Sequence, residues 1–426
     1  MNYSEAIDYI ESRAVFGSRP GFERINALLD ALDHPEKGMK YIHVAGTNGK
    51  GSVCTTTANI LSSAGYKTGL FTSPYVSDFR ERIQIDGSFI DCDELASITE
   101  RVKNVVDELD RLDNSPTEFE VITAIAFLYY KQEKCDIVVL EVGLGGLLDS
   151  TNVIDAPLIA AIVSLSFDHM GVLGNTIEEI AAQKAGIIKD GSITVSAPFQ
   201  PQSALKVLQD TARTHGNKFV IGNPDAIEQI REDINGNLIR YRDTEINLPL
   251  IGPHQIGNLS VTLAIIDELS TLGYEISIDN IKTGIEKTTI PARVEILSKE
   301  PLIILDGGHN EDGASALEKT LISYVDRPIT LVIGVMADKE VDRVVEHLAP
   351  HAKRVVTTKP SNPRAMSSED LGAIAGRFCP EILSEDSPCK AFDLARSLVT
   401  DDEALIVCGS LYLAGDVRAH MIETIG

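Results

Sequence analysis

The stretch MKYIHVAGTNGKGSV, residues 39–53, limits the possible folds more than any other part of this chain. A short apolar strand runs into a loop carrying Gly46, Gly49 and Gly51. SVCTTTANILSSAG then places Val53, Thr57, Ile60, Leu61 and Ala64 at helical spacing, with Gly65 as a stop, so a helix is expected from about Ser52. Strand, glycine loop and helix in that order form a phosphate cradle, because glycines let backbone N–H groups approach an anion at a helix N-terminus. The loop misses the standard P-loop pattern at both ends. Val44 occupies the place of the opening glycine, and Gly51 stands where Ser or Thr should follow Lys50. With one extra residue, Lys50 still supplies a mobile cation and Ser52 a hydroxyl for Mg²⁺. The alternative is a glycine turn beside a surface lysine.

The rest of the chain agrees with a parallel sheet. DIVVLEVG and LIAAIVSLS are continuous apolar runs, as strands covered on both faces require. ERIQIDGSFI alternates around Asp86-Gly87 and predicts a hairpin. Residues 216–250 read as an irregular, strand-bearing insertion. Around PARVEILSKEP, residues 291–301, the pattern restarts, and PLIIL, ITLVIG, KRVVTT and ALIVC are strand candidates separated by helical stretches. The expected fold class is α/β: an ATP-binding unit over 1–293 with a mostly parallel sheet, and a smaller Rossmann-like unit over 294–426.

Composition narrows the function. The chain has 426 residues with 43% hydrophobic and 24% charged, ordinary for a globular protein. A net charge of −25 argues against nucleic acid or anionic membrane as a partner, since both require a basic footprint. The six cysteines, Cys54, Cys92, Cys135, Cys379, Cys389 and Cys408, show no C-x-x-C pair. Reduced thiols in a cytoplasmic protein are therefore expected, without zinc or a disulfide framework. MNYSEAIDYIESR lacks a signal segment, and APLIAAIVSLSF is too short to span a bilayer.

Three further positions carry chemistry. Glu141 ends the DIVVLE strand, at the edge where α/β sheets bind ligands, and suits Mg²⁺. The Gly143, Gly145, Gly146 turn after it admits a bulky anion or substrate; alone it would also suit a dinucleotide, but the third fingerprint glycine is missing. Asp168-His169 ends a second strand. In NTIEEIAAQKAG, Ile177, Ile180, Ala181 and Lys184 share one helical face. That lysine is either snorkelling in the last turn before Gly186 or held in a site where its charge is removed or modified.

GTNGKGS, TSPYVSDFRERI, TEFE, EVGLGGLLDSTN, DHMGVLG, QKAGI, HQIGN, PARVE and DGGHN occur in this order, followed by GVMADKEV, NPRAMS and CGSLYLAGDVR. Together they resemble folylpolyglutamate synthase and its bifunctional form with dihydrofolate synthase, in the Mur ligase superfamily, from about residue 11 to the end. In that family the loop reads G-T-N-G-K-G-[ST], so Gly51 is the usual form. The resemblance implies a P-loop Mur-ligase ATPase and pterin-substrate domain followed by a glutamate-ligase domain. It also implies a reaction: ATP phosphorylates a carboxylate of a reduced folate or dihydropteroate, L-glutamate attacks the acyl phosphate, and ADP and phosphate leave.

Residue by residue, the resemblance assigns Asn48, Gly49, Lys50, Gly51 and Ser52 to the ATP phosphates. Ser52, Ser73, Glu141 and His169 would bind Mg²⁺. Lys184 matches a lysine carbamylated in the family, whose anion helps a second Mg²⁺. Asn258, Arg293 and Asp306 match ATP contacts, with His309 and Asn310 beside them; Lys50, Lys184 and His309 are the catalytic candidates. Phe119, Glu120 and Asp149 match the pterin side. Leu147 departs from a common Arg or Lys, Gly308 and Glu311 from DGAHNP, and Gln183 from a frequent Glu. A Mur-type ligase on another carboxylate should not need TEFE or GLGGxxDxTN, and a non-catalytic ATP binder should have lost Lys50, Glu141, His169 or Lys184. A cytoplasmic monomer acting on small molecules, with no membrane or nucleic-acid partner, is the resulting expectation.

Overall fold

The computed structural model describes residues 1–17, 19–168 and 170–425. The larger sheet contains β1 (Tyr41–Ala45), β2 (Thr68–Phe71), β3 (Ile83–Ile85), β4 (Ser88–Phe89), β5 (Ile137–Glu141), β6 (Ile159–Ile162), β7 (Ile193–Ser196) and β8 (Phe219–Ile221). Their order is β4-β3-β2-β5-β1-β6-β7-β8, and all pairings from β2 to β8 are parallel. Every residue of β1, β5 and β6 is buried, which explains why those strands read as unbroken apolar runs. One face packs on the helices Lys50–Ser63 and His254–Thr271, the other on Tyr3–Ser12, Cys92–Arg111 and Glu118–Gln132. The hairpin joining β3 and β4 turns on Asp86 (φ 53°) and Gly87 (φ 78°), the two left-handed residues a tight hairpin of native twist needs.

β9 (Glu228–Asp233), β10 (Gly236–Tyr241) and β11 (Thr244–Leu248) form an antiparallel sheet within the insertion. A second large sheet begins at β12 (Glu295–Lys299) and continues through β13 (Leu302–Leu305), β14 (Ile329–Ile333), β15 (Ala352–Thr357), β16 (Ile382–Ser384) and β17 (Ala404–Cys408). Its order is β12-β13-β17-β14-β15-β16, parallel except for β12. β12 and β16 lie at its two edges and went unread in the sequence, being short and only partly buried. Among the described residues no helix is long and apolar enough to cross a membrane.

Two features of topology place the site. β1 lies between β5 and β6, so the crevice beyond its C-terminal end is a switch point of the parallel sheet. Ala292 (φ 54°) and Val294 (φ 48°), in the connection to the second sheet, both adopt the left-handed region, which costs a β-branched valine about 1–3 kcal/mol. The strain persists because the segment is pinned: Val294 N–H donates to Asp306 Oδ2 (3.0 Å), Ala292 N–H to Glu295 Oε2 (2.9 Å) and Gly307 N–H to Ala292 O (2.8 Å).

Candidate active site

The phosphate loop fills the turn between β1 and the helix Lys50–Ser63. That helix starts two residues earlier than the sequence pattern suggests. Gly49, at φ 91°, is its N-cap, so Lys50 and Gly51 already form the first turn and point their N–H groups into the loop. Thr47 N–H donates to Ser164 O (2.8 Å), and Asn48 bridges to Ser164, fastening the loop to the end of β6. A Cβ on Gly49 would stand 2.3 Å from Asn258 Oδ1, so glycine is required for the helix His254–Thr271 to approach. A Cβ on Gly51 would make ordinary van der Waals contact with Glu141 Oε2, at 3.9 Å, which places that carboxylate opposite the helix start. Lys50 Nζ folds back over the loop onto Gly46 O and Thr47 O, both at 3.2 Å.

Glu141 ends β5 and is buried, with Oε2 accepting Ser73 N–H at 3.2 Å. Burial pushes its carboxyl above the usual range, opposed by Lys50, the Ser73 N–H, Arg293 and Arg82. Ser73 opens a loop that a single side chain organises. Glu81 accepts the N–H groups of Val76 (2.7 Å), Ser77 (3.0 Å) and Asp78 (3.0 Å). Glu81→Ala should therefore loosen this loop at a cost of ~1–3 kcal/mol, read as faster amide exchange at residues 76–78. Unchanged exchange there would refute the assignment. Arg418, from the helix Leu411–Ile425, ties the same loop to the second lobe, with bonds to Ser77 Oγ (3.0 Å) and Glu295 Oε1 (3.0 Å).

Lys184 is buried at 4% exposure, and Nζ donates to Gly46 O at 2.8 Å. That is not the exposed ammonium of a snorkelling lysine. Burial, with the Lys50 charge adding to it, lowers its pKa from 10.5 to about 7. The 143–149 turn packs on the end of this helix: Leu147 N–H donates to Gln183 O (2.7 Å), and a Cβ on Gly186 would stand 2.3 Å from Leu147 Cα. Leu147, where relatives were expected to carry a cation, is thus a packing contact that leaves part of its side chain in solvent.

Asp149 lies beneath that turn. Its oxygens accept Leu144 N–H (2.8 Å), Thr151 N–H (2.9 Å) and the Thr151 hydroxyl (2.5 Å), and Thr151 Oγ1 contacts His43 Nε2 (2.8 Å). Burial lowers the His43 pKa to about 3, so this imidazole is neutral. Phe119 packs under Gly143, where a Cβ would stand 2.5 Å from the ring. Glu120 Oε2 accepts Thr117 N–H (2.7 Å) at the start of its own helix and Arg24 Nε (3.2 Å), while its buried Oε1 has no hydrogen-bond partner among the described residues.

The second lobe faces these groups with the C-terminal ends of β13, β14 and β17. Asp306 holds the connection through Val294 N–H and its own turn through Gly308 N–H (2.8 Å). Asn310 caps the helix Glu311–Tyr324 and reaches Asn48 Oδ1 across the lobes at 3.4 Å. Lys339 Nζ crosses to Asp168 Oδ1 (2.8 Å), and His309 Nε2 stands 3.9 Å from Asp168 Oδ2. Glu311 lies in the field of Arg343 on the following helix.

A cleft of about 780 Å³ between the lobes is lined by Lys50, Ser73, Asp168, Lys184 and His309. Asn48, Gly49, Gly51, Ser52, Glu141, Asn258, Arg293, Asp306, Phe119, Glu120 and Asp149 are not among its lining residues. Asn258, Arg293 and Asp306 hold or flank the phosphate loop and the lobe connection, and Phe119, Glu120 and Asp149 support the 143–149 turn or a helix start. His169 lies outside the described residues. Glu81, Arg82, Thr151, His43, Lys339 and Arg418 were not singled out in the sequence. Lys339 and Arg82 sit inside stretches already noted, ADKEV and FRERI, and a charged residue within such a stretch was the available signal.

The Mur ligase middle domain model matches residues 44–266, and the Mur ligase glutamate ligase domain model matches residues 292–411. The chain is 36% identical to the dihydrofolate synthase/folylpolyglutamate synthase of Bacillus subtilis, over 98% of this chain and 99% of that protein. It superposes on the Mycobacterium tuberculosis folylpolyglutamate synthase complexed with ADP and AMPPCP with a TM-score of 0.89, at 30% identity and 98% coverage of each chain. An FPGS–AMPPCP–folate complex gives 0.83 at 31% identity, covering 99% of this chain and 100% of that one.

Proposed function

The chain belongs to the folylpolyglutamate synthase/dihydrofolate synthase family of Mur ligases, and from that premise we propose how its cleft joins L-glutamate to a reduced folate or to dihydropteroate at the expense of ATP. The observation that carries the reading is the convergence of Lys50 and Lys184 on one carbonyl, Gly46 O, at the mouth of a cleft whose far wall brings His309 and Lys339. A carboxylate is a poor electrophile. Its oxygen attacks the γ-phosphorus, the bond to the bridging oxygen breaks, and ADP leaves. The amine of glutamate then attacks the acyl carbon, phosphate departs and the amine proton passes to solvent. Fixed cations and N–H groups in a water-poor cleft stabilise the charge that gathers on phosphate oxygens.

Residues 44–266 act as the nucleotide and acceptor unit and 292–411 as the glutamate unit, with 1–293 and 294–426 as the full domains and the monomer as the working form. Ser52, Ser73 and Glu141 would hold Mg²⁺: the buried Glu141 carboxylate lies opposite Gly51 at the helix start and, among the described residues, has one backbone N–H as its hydrogen-bond partner. Bound there, the ion would neutralise phosphate oxygens. Lys184, with its pKa lowered to about 7, exchanges between ammonium and free amine near neutral pH, and the free amine can add CO₂, forming a carbamate and releasing a proton.

The test is coupled detection of ADP. Release should require both an acceptor and L-glutamate, and tetrahydrofolate and dihydropteroate are compared as acceptors. Turnover with neither substrate, or with UDP-muramoyl substrates instead, would overturn the reading.

A further inference from the structure

Arg82 closes the short turn Phe79–Arg82 and lines the cleft, and its charge is answered only loosely, by Glu118 and by the faces of Tyr75 and Phe79. Its side chain is 10% exposed. Among the described residues its guanidinium makes no hydrogen bond: Nε is sealed from solvent without a partner, and Glu118 Oε1 stands 3.9 Å from Nη2, beyond bonding distance. Tyr75 and Phe79 wall the group, with ring centroids 5.1 Å and 5.5 Å from Cζ. Other arginines nearby are spoken for. Arg13 grips Asp110 with both terminal nitrogens (2.7 and 2.8 Å), Arg80 pairs with Asp78, and Arg418 with Glu295.

Burying a guanidinium without a hydrogen-bond partner is costly, and replacing a buried charge by an apolar group of similar size is often neutral or stabilising. A planar fork held this loosely at the wall of a cleft suits a two-oxygen anion. We propose that Arg82 grips the carboxylate of the pterin-bearing acceptor and presents it to the γ-phosphate. This rests on the ligase reading above. Two observations favour the acceptor over the incoming glutamate. Arg82 is rooted in the lobe that carries the phosphate loop, its carbonyl accepting Thr72 N–H at 3.1 Å, and it acts electrostatically on Glu141 beside Lys50. The cations that the second lobe brings to the cleft are paired, Lys339 with Asp168 and Arg364 with Asp338 (2.9 Å). In the reaction one carboxylate oxygen attacks phosphorus while the other stays on the fork. That second oxygen becomes the acyl carbonyl and takes up the negative charge when the amine adds, so the same donors serve both steps.

The test uses the full chain with AMPPCP. Binding of the acceptor is compared with binding of its primary carboxamide, which keeps the shape and loses the charge. Wild type should prefer the carboxylate by ~10–100-fold, the worth of hydrogen bonds to a charged group. Arg82→Met should bind both equally, Arg82→Lys should fall between, and KM for ATP and glutamate should move less than about twofold. The melting temperature of Arg82→Met should stay level or rise. A retained carboxylate preference in Arg82→Met would overturn the proposal, as would a shift in glutamate KM in place of acceptor binding, or a melting temperature that falls together with all constants. Wild type is assayed first: absence of acceptor-dependent ADP release defeats the ligase reading, whereas release that Arg82→Met leaves unchanged defeats only the role of Arg82.

Discussion

Lys184→Ala is expected to cut glutamate-dependent ADP release by ~10²–10³-fold while leaving the chain folded, the range seen when one preorganised charge-stabilising group is removed. The lysine is buried and bonded to Gly46 O, the carbonyl that Lys50 also touches, so removing it empties the centre of the site without opening the core. Its proton makes the variant testable by stability as well. In the folded chain Lys184 titrates near 7, against 10.5 when exposed. Between those values the unfolded chain holds the extra proton, so stability rises with pH, and below about 7 the penalty for burying the charge is complete. Lys184→Met should therefore be more stable than wild type, most of all at pH 6–7 in bicarbonate-free buffer, with the advantage gone by about pH 10.5. If carbamylation forms the working group, short carboxylates should partly restore Lys184→Ala. A variant with the wild-type rate would return this residue to a structural role, and a stability difference flat in pH would refute the buried ammonium.

Why some of this was legible and some not follows from range. β1, β5 and β6 announced themselves because a strand buried on both faces must be apolar throughout, a purely local requirement. The Asp86-Gly87 turn was equally local, set by two left-handed residues. Lys184 was legible as far as its helical face; that it ends on a carbonyl 138 positions earlier was not. The same limit hid His43 on Thr151, 108 positions apart, and Arg418 on Ser77, 341 apart. Periodicity names a face without naming what it meets. The helix start was misplaced because a helix beginning Lys-Gly-Ser has poor propensity there, and the phosphate loop itself supplies the first turn. Glu120 shows a motif residue that also serves the fold: one of its oxygens closes a capping box and meets Arg24, contacts the sequence could name only in part.

Gly46→Ala should be among the more damaging single-methyl changes in the chain, since residue 46 also holds φ 153°, a backbone conformation that L side chains rarely adopt. A Cβ at residue 46 would stand 2.1 Å from Val163 Cγ2 and 3.2 Å from the Val163 carbonyl carbon, and Val163 is fully buried at the end of β6. The valine cannot swing away: Val163 N–H donates to Ala45 O at 2.8 Å, so its backbone is fixed by the residue preceding the glycine. Overpacking of this kind costs ~1–3 kcal/mol. Activity should fall further than stability does. Any relief moves Gly46 O, and with it the common acceptor of Lys50 and Lys184. Val163→Ala removes the colliding methyl but leaves the 3.2 Å contact to the main chain. The double variant should therefore be less destabilised than the sum of the two single changes by ~1–2 kcal/mol in urea unfolding, with only part of the activity regained. Strict additivity would mean that the alanine is accommodated elsewhere, and that the approach of β1 to β6 does not set the position of the two lysines.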